Sequence, residues 1–436
     1  MVFDKLFGRR KKAEEPDILF GRYSDNNKTV EKTNRWNEAD SLFKKQEYHN
    51  SIELFFNYLR DEERQNVVLE RNNNEGRFHL YQGSKIVRGE FNNERLQAEI
   101  TLAKMPQSSV PVMRRLLEMN FNLYYSRFAL DKDRLCMRFD SDIKTANPNK
   151  LYYGLKELAI KADKQDDLLV QEFSALQTID TGHITELPTE EKEVKYAFMM
   201  RWIKETLDYC ASLEADKFAG GIAYQLLTLA FRIDYLVCPE GKLLNELEKI
   251  VEIYYRKDDK QTIERNRGMI EGFTKLLVKT KDEVFPYLFR SKHTFSIVAP
   301  QQYKAVVDAI NAAIQNMLWY RDNSYPVIAN RVIEYGFSFC HYSYSLPKPL
   351  SNLFRLFMQV NYGDYFTALG FVTKYYDPSA NKFYTDNIKD RIEEIIEEWE
   401  IKYPKLKFRT NGLQYDNLVN FNHSFTAEIA TLNFDA

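Results

Sequence analysis

The side chains able to do chemistry are sparse. Two acidic pairs fall at strand ends and turns, Asp131-Lys132-Asp133 and Asp140-Ser141-Asp142. Two carboxylates at that spacing could hold a divalent cation or divide acid and base work between them. Aspartate and serine are also preferred in turns and helix approaches, where they bond nearby backbone, and that reading is the simpler one. The histidines, His49, His79, His183, His293, His341 and His423, are scattered, and none has a partner at i+3 or i+4. Cys340 and His341 are adjacent, so on a regular helix they point about 100° apart and cannot turn to one metal. The Ser/Lys pairs at Ser41/Lys44, Ser141/Lys144 and Ser345/Lys348 have a spacing common by chance. No glycine-rich phosphate cradle, HExxH pair or G-x-S-x-G elbow occurs. An enzyme reading would need several of Asp140, Asp142, His183, His293 and His341 to converge, at the helical half or the domain junction. No catalytic residue, cofactor or metal is expected.

Aromatic residues are the second chemical signal, with 30 Phe, 28 Tyr and 4 Trp. Phe337, Phe339, Tyr342 and Tyr344 crowd one segment before Pro347. They could line a groove for a peptide or an apolar ligand, because aromatics anchor interfaces. Burial as core between helices is the simpler expectation.

These residues sit in a chain of 436 residues, long enough for two or three domains and for a core without staples. Lys plus Arg is 61 and Asp plus Glu is 63, a net charge of −2. That balance argues against a dedicated nucleic-acid binder. Cys136, Cys210, Cys238 and Cys340 lack metal or redox spacing and read as reduced, buried small hydrophobes. The N-terminal stretch MVFDKLFGRRKKAEEP lacks the features of a signal peptide, and no stretch nears 18 uninterrupted apolar residues. A cytoplasmic chain without a transmembrane segment is expected. Val2, Phe3, Leu6 and Phe7, followed by Arg9 to Lys12, offer a weak peripheral contact for an anionic membrane or a partner. A solvated terminus is the simpler reading.

The elements divide near residue 176. A flexible lead-in occupies residues 1–32. From 33 to 175 the pattern is helical, then of period two, then mixed. Trp36, Ala39, Leu42 and Phe43 share one helical face, and Ile52, Phe55, Phe56 and Leu59 share another. This pair, 34–60, resembles a single tetratricopeptide-type hairpin, but one such unit cannot bury its own core, so packing on a following sheet is expected. Phe78 to Tyr81, Ile86 to Phe91 and Leu96 to Leu102 alternate as a three-strand meander with one wet face. Met113, Leu116 and Leu117 mark a short helix. Two more strands follow at Leu123–Leu130 and Arg134–Asp140, and a helix carries Leu151, Leu155, Leu158, Ala159 and Ala162.

The order helix, three strands, helix, two strands, helix resembles the type III secretion chaperone-like fold, which includes the YbjN family of bacterial proteins. The residues carrying the likeness are Met119-Asn120-Phe121, Ser126 to Asp131, Leu135-Cys136-Met137-Arg138-Phe139 and Leu151 to Leu158. It covers about residues 40–172. The resemblance implies a protein-binding scaffold, often dimeric, without chemistry of its own. This chain is longer and nearer neutral than such chaperones, so the likeness speaks for the fold and not for secretion.

Beyond a linker at 176–191, residues 192–404 read as helical. Stripes run through Tyr196–Cys210, Tyr303–Leu318 and Ile388–Tyr403. The acidic run from Asp386 to Glu400 reads as the solvated face of the third. Residues 405–436 lose the helical period and are expected to be an irregular tail. The expected fold class is α+β: an antiparallel sheet with flanking helices, then an all-α domain. The expected function is a non-enzymatic, protein-binding chaperone or adaptor, with a homodimer among its forms. A structural subunit of a larger bacterial assembly, or an enzyme of unrecognised class, are the alternatives.

Overall fold

Ser51 sets how the first two helices meet. Its Oγ donates to the Ala39 carbonyl (2.7 Å), and both residues are fully buried where α1 (Val30–Lys44) crosses α2 (Tyr48–Leu59). The computed structural model describes residues 15–21, 28–179, 184–296, 301–344 and 346–434. The N-terminal apolar and basic stretch, His183 and Ser345 lie outside them. Ile52, Phe55, Phe56 and Leu59 recur every three to four residues, so α2 presents one apolar face. That face packs on a sheet, with Phe56 centred 4.5 Å from Phe78.

The sheet is antiparallel, in the order β1 (Val67–Asn72), β2 (Glu75–Gly83), β3 (Lys85–Phe91), β4 (Arg95–Lys104), β6 (Arg134–Asp142), β5 (Arg127–Asp131). It has one strand more in its opening meander than the alternation foretold. β1 hides because Val67-Val68-Leu69 breaks strict alternation, while Asn73, at φ 53°, turns it tightly into β2. Helix α3 (Val110–Asn120) lies beside the β5 edge, and α4 (Pro148–Glu172) covers the inner face with Leu151, Leu155, Leu158, Ala159 and Ala162 fully buried. The outer face is wet. There Glu99 pairs with Arg134 (3.1 Å) and Arg138, and Arg127 with Asp140, so opposite charges neutralise one another across strands.

A two-residue strand, β7 (Gln177–Thr178), adds to β4, and β8 (Thr185–Glu186) pairs with β9 (Phe289–Arg290) of the helical part. That part holds α5 (Thr189–Ala211), α6 (Ala219–Arg232), α7 (Gly241–Tyr255), α8 (Thr262–Leu277) and the short α9 (Lys281–Val284). After β10 (Lys292–His293) come α10 (Tyr303–Asp322), α11 (Pro326–Ser343), α12 (Lys348–Asn361) and α13 (Gly363–Ala368). A small hairpin of β11 (Tyr376–Asp377) and β12 (Lys382–Phe383), then α14 (Thr385–Trp399) and α15 (Leu418–Ile429), complete it. The chain is therefore α+β, with its strands concentrated in the first half and helices throughout the second. No helix among the described residues is long and apolar enough to cross a membrane.

The strand expected at Leu123–Leu130 starts only at Arg127, and residues 15–21 are no free lead-in, since Ile18 is buried in the helical core and the Gly21 N–H donates to the Tyr235 carbonyl (2.8 Å). Two larger features depart from the sequence reading. Residues 405–436 contain α15, capped by Asn417, whose side chain accepts from the Asn420 N–H (3.0 Å). Phe421, Phe425 and Ile429 are fully buried, and so are Asn422 and Thr426 on other faces. No residue of α15 is exposed and polar Asn422, Ser424 and Thr426 are buried beside the apolar ones, so the contrast between its faces is weak in the sequence. The second departure is a clasp between the halves. β10 pairs with the end of β2, His293 opposite Gln82, and delivers Phe295 into the core of the sheet domain.

Candidate functional site

The aromatic segment lies on α11, where the helical period separates its residues. Phe337 is fully buried between Phe354 (centroids 4.7 Å) and Phe357 (5.7 Å) of α12. It belongs to the core and cannot touch a partner. Phe339, Tyr342 and Tyr344 are half-buried on the other side of the helix. Tyr342 stacks on Phe231 (4.6 Å), and Phe339 stacks on Tyr335 (5.7 Å) and meets Tyr344 edge-on (5.6 Å). Tyr342 and Tyr344 also line a cavity of about 210 Å³ at the seam between the halves.

That cavity is where the structure gathers polar groups. Asp163 and Lys164 reach it from α4, Asp234 from a π-helical turn at Ile233–Val237, and Glu240, His293 and His341 from the helical half. Of the five residues an enzyme would need, His293 and His341 share this cavity. Asp140 is across the sheet with Arg127, and Asp142 caps the turn at Ile143–Thr145 by accepting from the Lys144 N–H (2.8 Å). Among the described residues, no group of three or more His, Cys, Asp and Glu is placed to hold a metal.

Ser291, His293 and Glu240 come closest to a nucleophile constellation, and their hydrogen bonds argue against it. Gln82 Oε1 accepts from the Phe295 N–H (2.9 Å), so its Nε2 is the donor, giving bonds to the Phe295 carbonyl (3.1 Å) and to His293 Nδ1 (3.3 Å). Nδ1 is thus the acceptor and the ring proton sits on Nε2. There it faces Ser291 Oγ (3.0 Å) and Glu240 Oε1 (3.3 Å), while Ser291 donates to the same carboxylate oxygen (2.8 Å). To activate the serine, the ring nitrogen facing it would have to be the acceptor, with a carboxylate taking the proton of the other nitrogen. Here both roles are reversed, and the group works as a polar clasp. Next to it, Asp163 Oδ1 accepts from the Ser84 N–H (2.9 Å), and a Cβ at Gly83 (φ 55°) would stand 2.1 Å from that oxygen. The Lys164–Glu248 pair (3.2 Å) spans the seam as well. The cysteines add no nucleophile among those whose shift is resolved: burial pushes the Cys136 thiol up to about 11, and those of Cys210 and Cys340 up to about 12.

The exposed surface holds a different kind of feature. In α3, Val112 and Leu116 are buried, while Val110, Met113, Leu117 and Phe121 form a second stripe turned to solvent. Leu117 is 64% exposed and Phe121 91%. Tyr124, also 91% exposed, extends the patch with Tyr125 and Leu130. The loop that carries the tyrosines is held firmly. The Glu157 carboxylate of α4 accepts from the N–H groups of Tyr124 (2.8 Å), Tyr125 (2.9 Å) and Ser126 (2.8 Å), and from the Ser126 hydroxyl (2.8 Å). Partial burial pushes this carboxyl up, but the three backbone donors outweigh it and hold the group below its usual range. Asn120 Oδ1 accepts from the Phe128 N–H (2.8 Å), fastening the end of α3 to β5. Sequence reasoning placed Met113, Leu116 and Leu117 on one stripe. The signal for two faces was the spacing 110, 113, 117, 121 beside 112, 116, 119.

Neither a family model nor a curated protein matches the chain.

Proposed function

We propose that the chain is a non-enzymatic protein-binding adaptor, chaperone-like in its first half, which docks protein through α3 and the 121–125 loop. One observation carries this reading: a contiguous apolar stripe lies in solvent on a loop and helix that Glu157 and Asn120 hold in place. Ordinary surface carries single apolar side chains, and contiguous, pre-organised patches mark interaction sites. The polar clasp at the seam supports the non-enzymatic part, since its best nucleophile candidate is hydrogen-bonded the wrong way round.

The test is stoichiometric co-purification of the full-length chain beside its Leu117→Glu variant. Leu117 is on the solvent side, so the variant should fold normally. The expected result is a defined assembly, homomeric or heteromeric, in the parent that the variant loses. Equal assembly by parent and variant would refute the docking surface.

A further inference from the structure

The cavity at the seam is built by both halves of the chain and shares no residue with the α3 surface. We propose that it binds a small organic ammonium ion, with the charged head among its carboxylates and an apolar body against its aromatic wall.

Three features of the cavity point to that class. The first is charge. Among the described residues that line it, Asp163, Asp234, Glu240 and Glu248 stand against one ammonium, that of Lys164, which Glu248 already holds at 3.2 Å. His293 accepts a hydrogen bond at Nδ1 and so adds no positive charge. Walls of low dielectric strengthen the field of such a lining and draw cations into it. The second is the wall. Tyr342, braced on Phe231 (4.6 Å), and Tyr344, braced by Phe339 (5.6 Å), line the cavity together with Leu244. Aromatic rings attract a cation and shelter an apolar body beside it. The third is room. At about 210 Å³ the cavity exceeds the space of one water several times over, enough for an amine with a short alkyl or phenyl body. A bare metal ion fits less well, because no three of the described His, Cys, Asp and Glu side chains converge to hold one. The carboxylates are spread around a space, which suits a charge carried on a larger body.

The way the cavity is assembled agrees with binding. Asp234 is delivered by the π-helical turn at Ile233–Val237, a distortion frequent at functional sites. Lys164, whose side chain is 45% exposed, places the cavity within reach of solvent. Asp163 belongs to the sheet domain, and buried Asp234 and Glu240 to the helical half. A bound amine therefore touches both halves and stabilises the folded chain.

The experiment is calorimetric titration of the full chain with phenylethylamine and pentylamine, beside phenylethanol, pentanol and phenylpropionate as neutral and anionic counterparts. The amines should bind and raise the thermal midpoint, and their counterparts should bind at least about ten-fold more weakly. Asp234→Asn should weaken the amines by about ten- to a hundred-fold. Leu244→Trp, which fills the cavity from α7, should abolish their binding and tests the site independently of that carboxylate. Far-UV circular dichroism checks that each variant folds. Failure of both amines to bind the parent overturns the proposal. Equal binding of amines and alcohols overturns the cationic class, and full binding by a folded Asp234→Asn variant overturns the role of the carboxylates. Amine binding unchanged by Leu244→Trp overturns the site.

Discussion

Phe295 decides whether the two halves unfold together. It arrives with β10 from the helical half, is 1% exposed, and packs in the sheet-domain core with its ring centred 5.7 Å from Tyr152 of α4. Truncation to alanine removes a large buried ring and leaves a cavity that the surrounding helix and sheet can fill only in part. Such changes cost about 3–5 kcal/mol. The cost falls mainly on the sheet domain, because the buried ring of Phe295 belongs to that domain's core. The backbone of the clasp stays: Thr294 N–H to the Tyr81 carbonyl (3.0 Å) and the paired bonds with Gln82. For a unit the size of the sheet domain, each kcal/mol shifts the midpoint by about 3 °C, so its transition should fall by about 10 °C. Differential scanning calorimetry of the parent should show one main transition, and Phe295→Ala should split it, the earlier peak belonging to the sheet domain. Hydrogen exchange on β2 and β3 assigns that peak. An unsplit transition with a loss under about 1 kcal/mol would show that the clasp does not couple the cores.

Two further predictions concern charge. Arg232 and Glu334 are buried and joined by two bonds (2.9 and 3.3 Å), with Arg331 on the same carboxylate (2.7 Å), so Glu334→Leu strands Arg232 and should cost about 3–5 kcal/mol in urea unfolding. The double change Arg232→Met with Glu334→Leu should recover most of it, and a double variant no better than the single would refute the pairing. The second is Glu157, whose folded-state carboxyl is held low by three backbone donors. Its stabilisation is therefore complete above the unfolded carboxylate range near 4.3 and disappears as pH falls through the lower folded value. Glu157→Gln should lose about 1–2 kcal/mol at neutral pH, allowing for its partial exposure, and the gap from the parent should close on acidification. A gap independent of pH would reject the assignment.

Local pattern made much of the scaffold legible. Period-two alternation marked β2, β3 and β4, the Asp131-Lys132-Asp133 turn, with Lys132 at φ 59°, joined β5 to β6, and i, i+4 leucines marked α4. The Phe337 segment was legible only as aromatic. Whether each ring faced core or cavity depended on α12 and α6, which the segment itself does not encode. The α3 surface was half legible, since its apolar residues were visible and their division into two faces was not.

By itself, the sequence determined the elements wherever one face was apolar and the other wet, because that contrast is written within a dozen residues. Tertiary structure decided the rest. It decided that α15 is a helix, since a segment that buries polar and apolar side chains alike and exposes none carries little contrast. It joined His293 to Gln82 across more than two hundred residues, a pairing that needs both halves folded. And it left Val110, Met113, Leu117 and Phe121 in solvent among the described residues, because burial depends on what distant parts of the chain bring to a face.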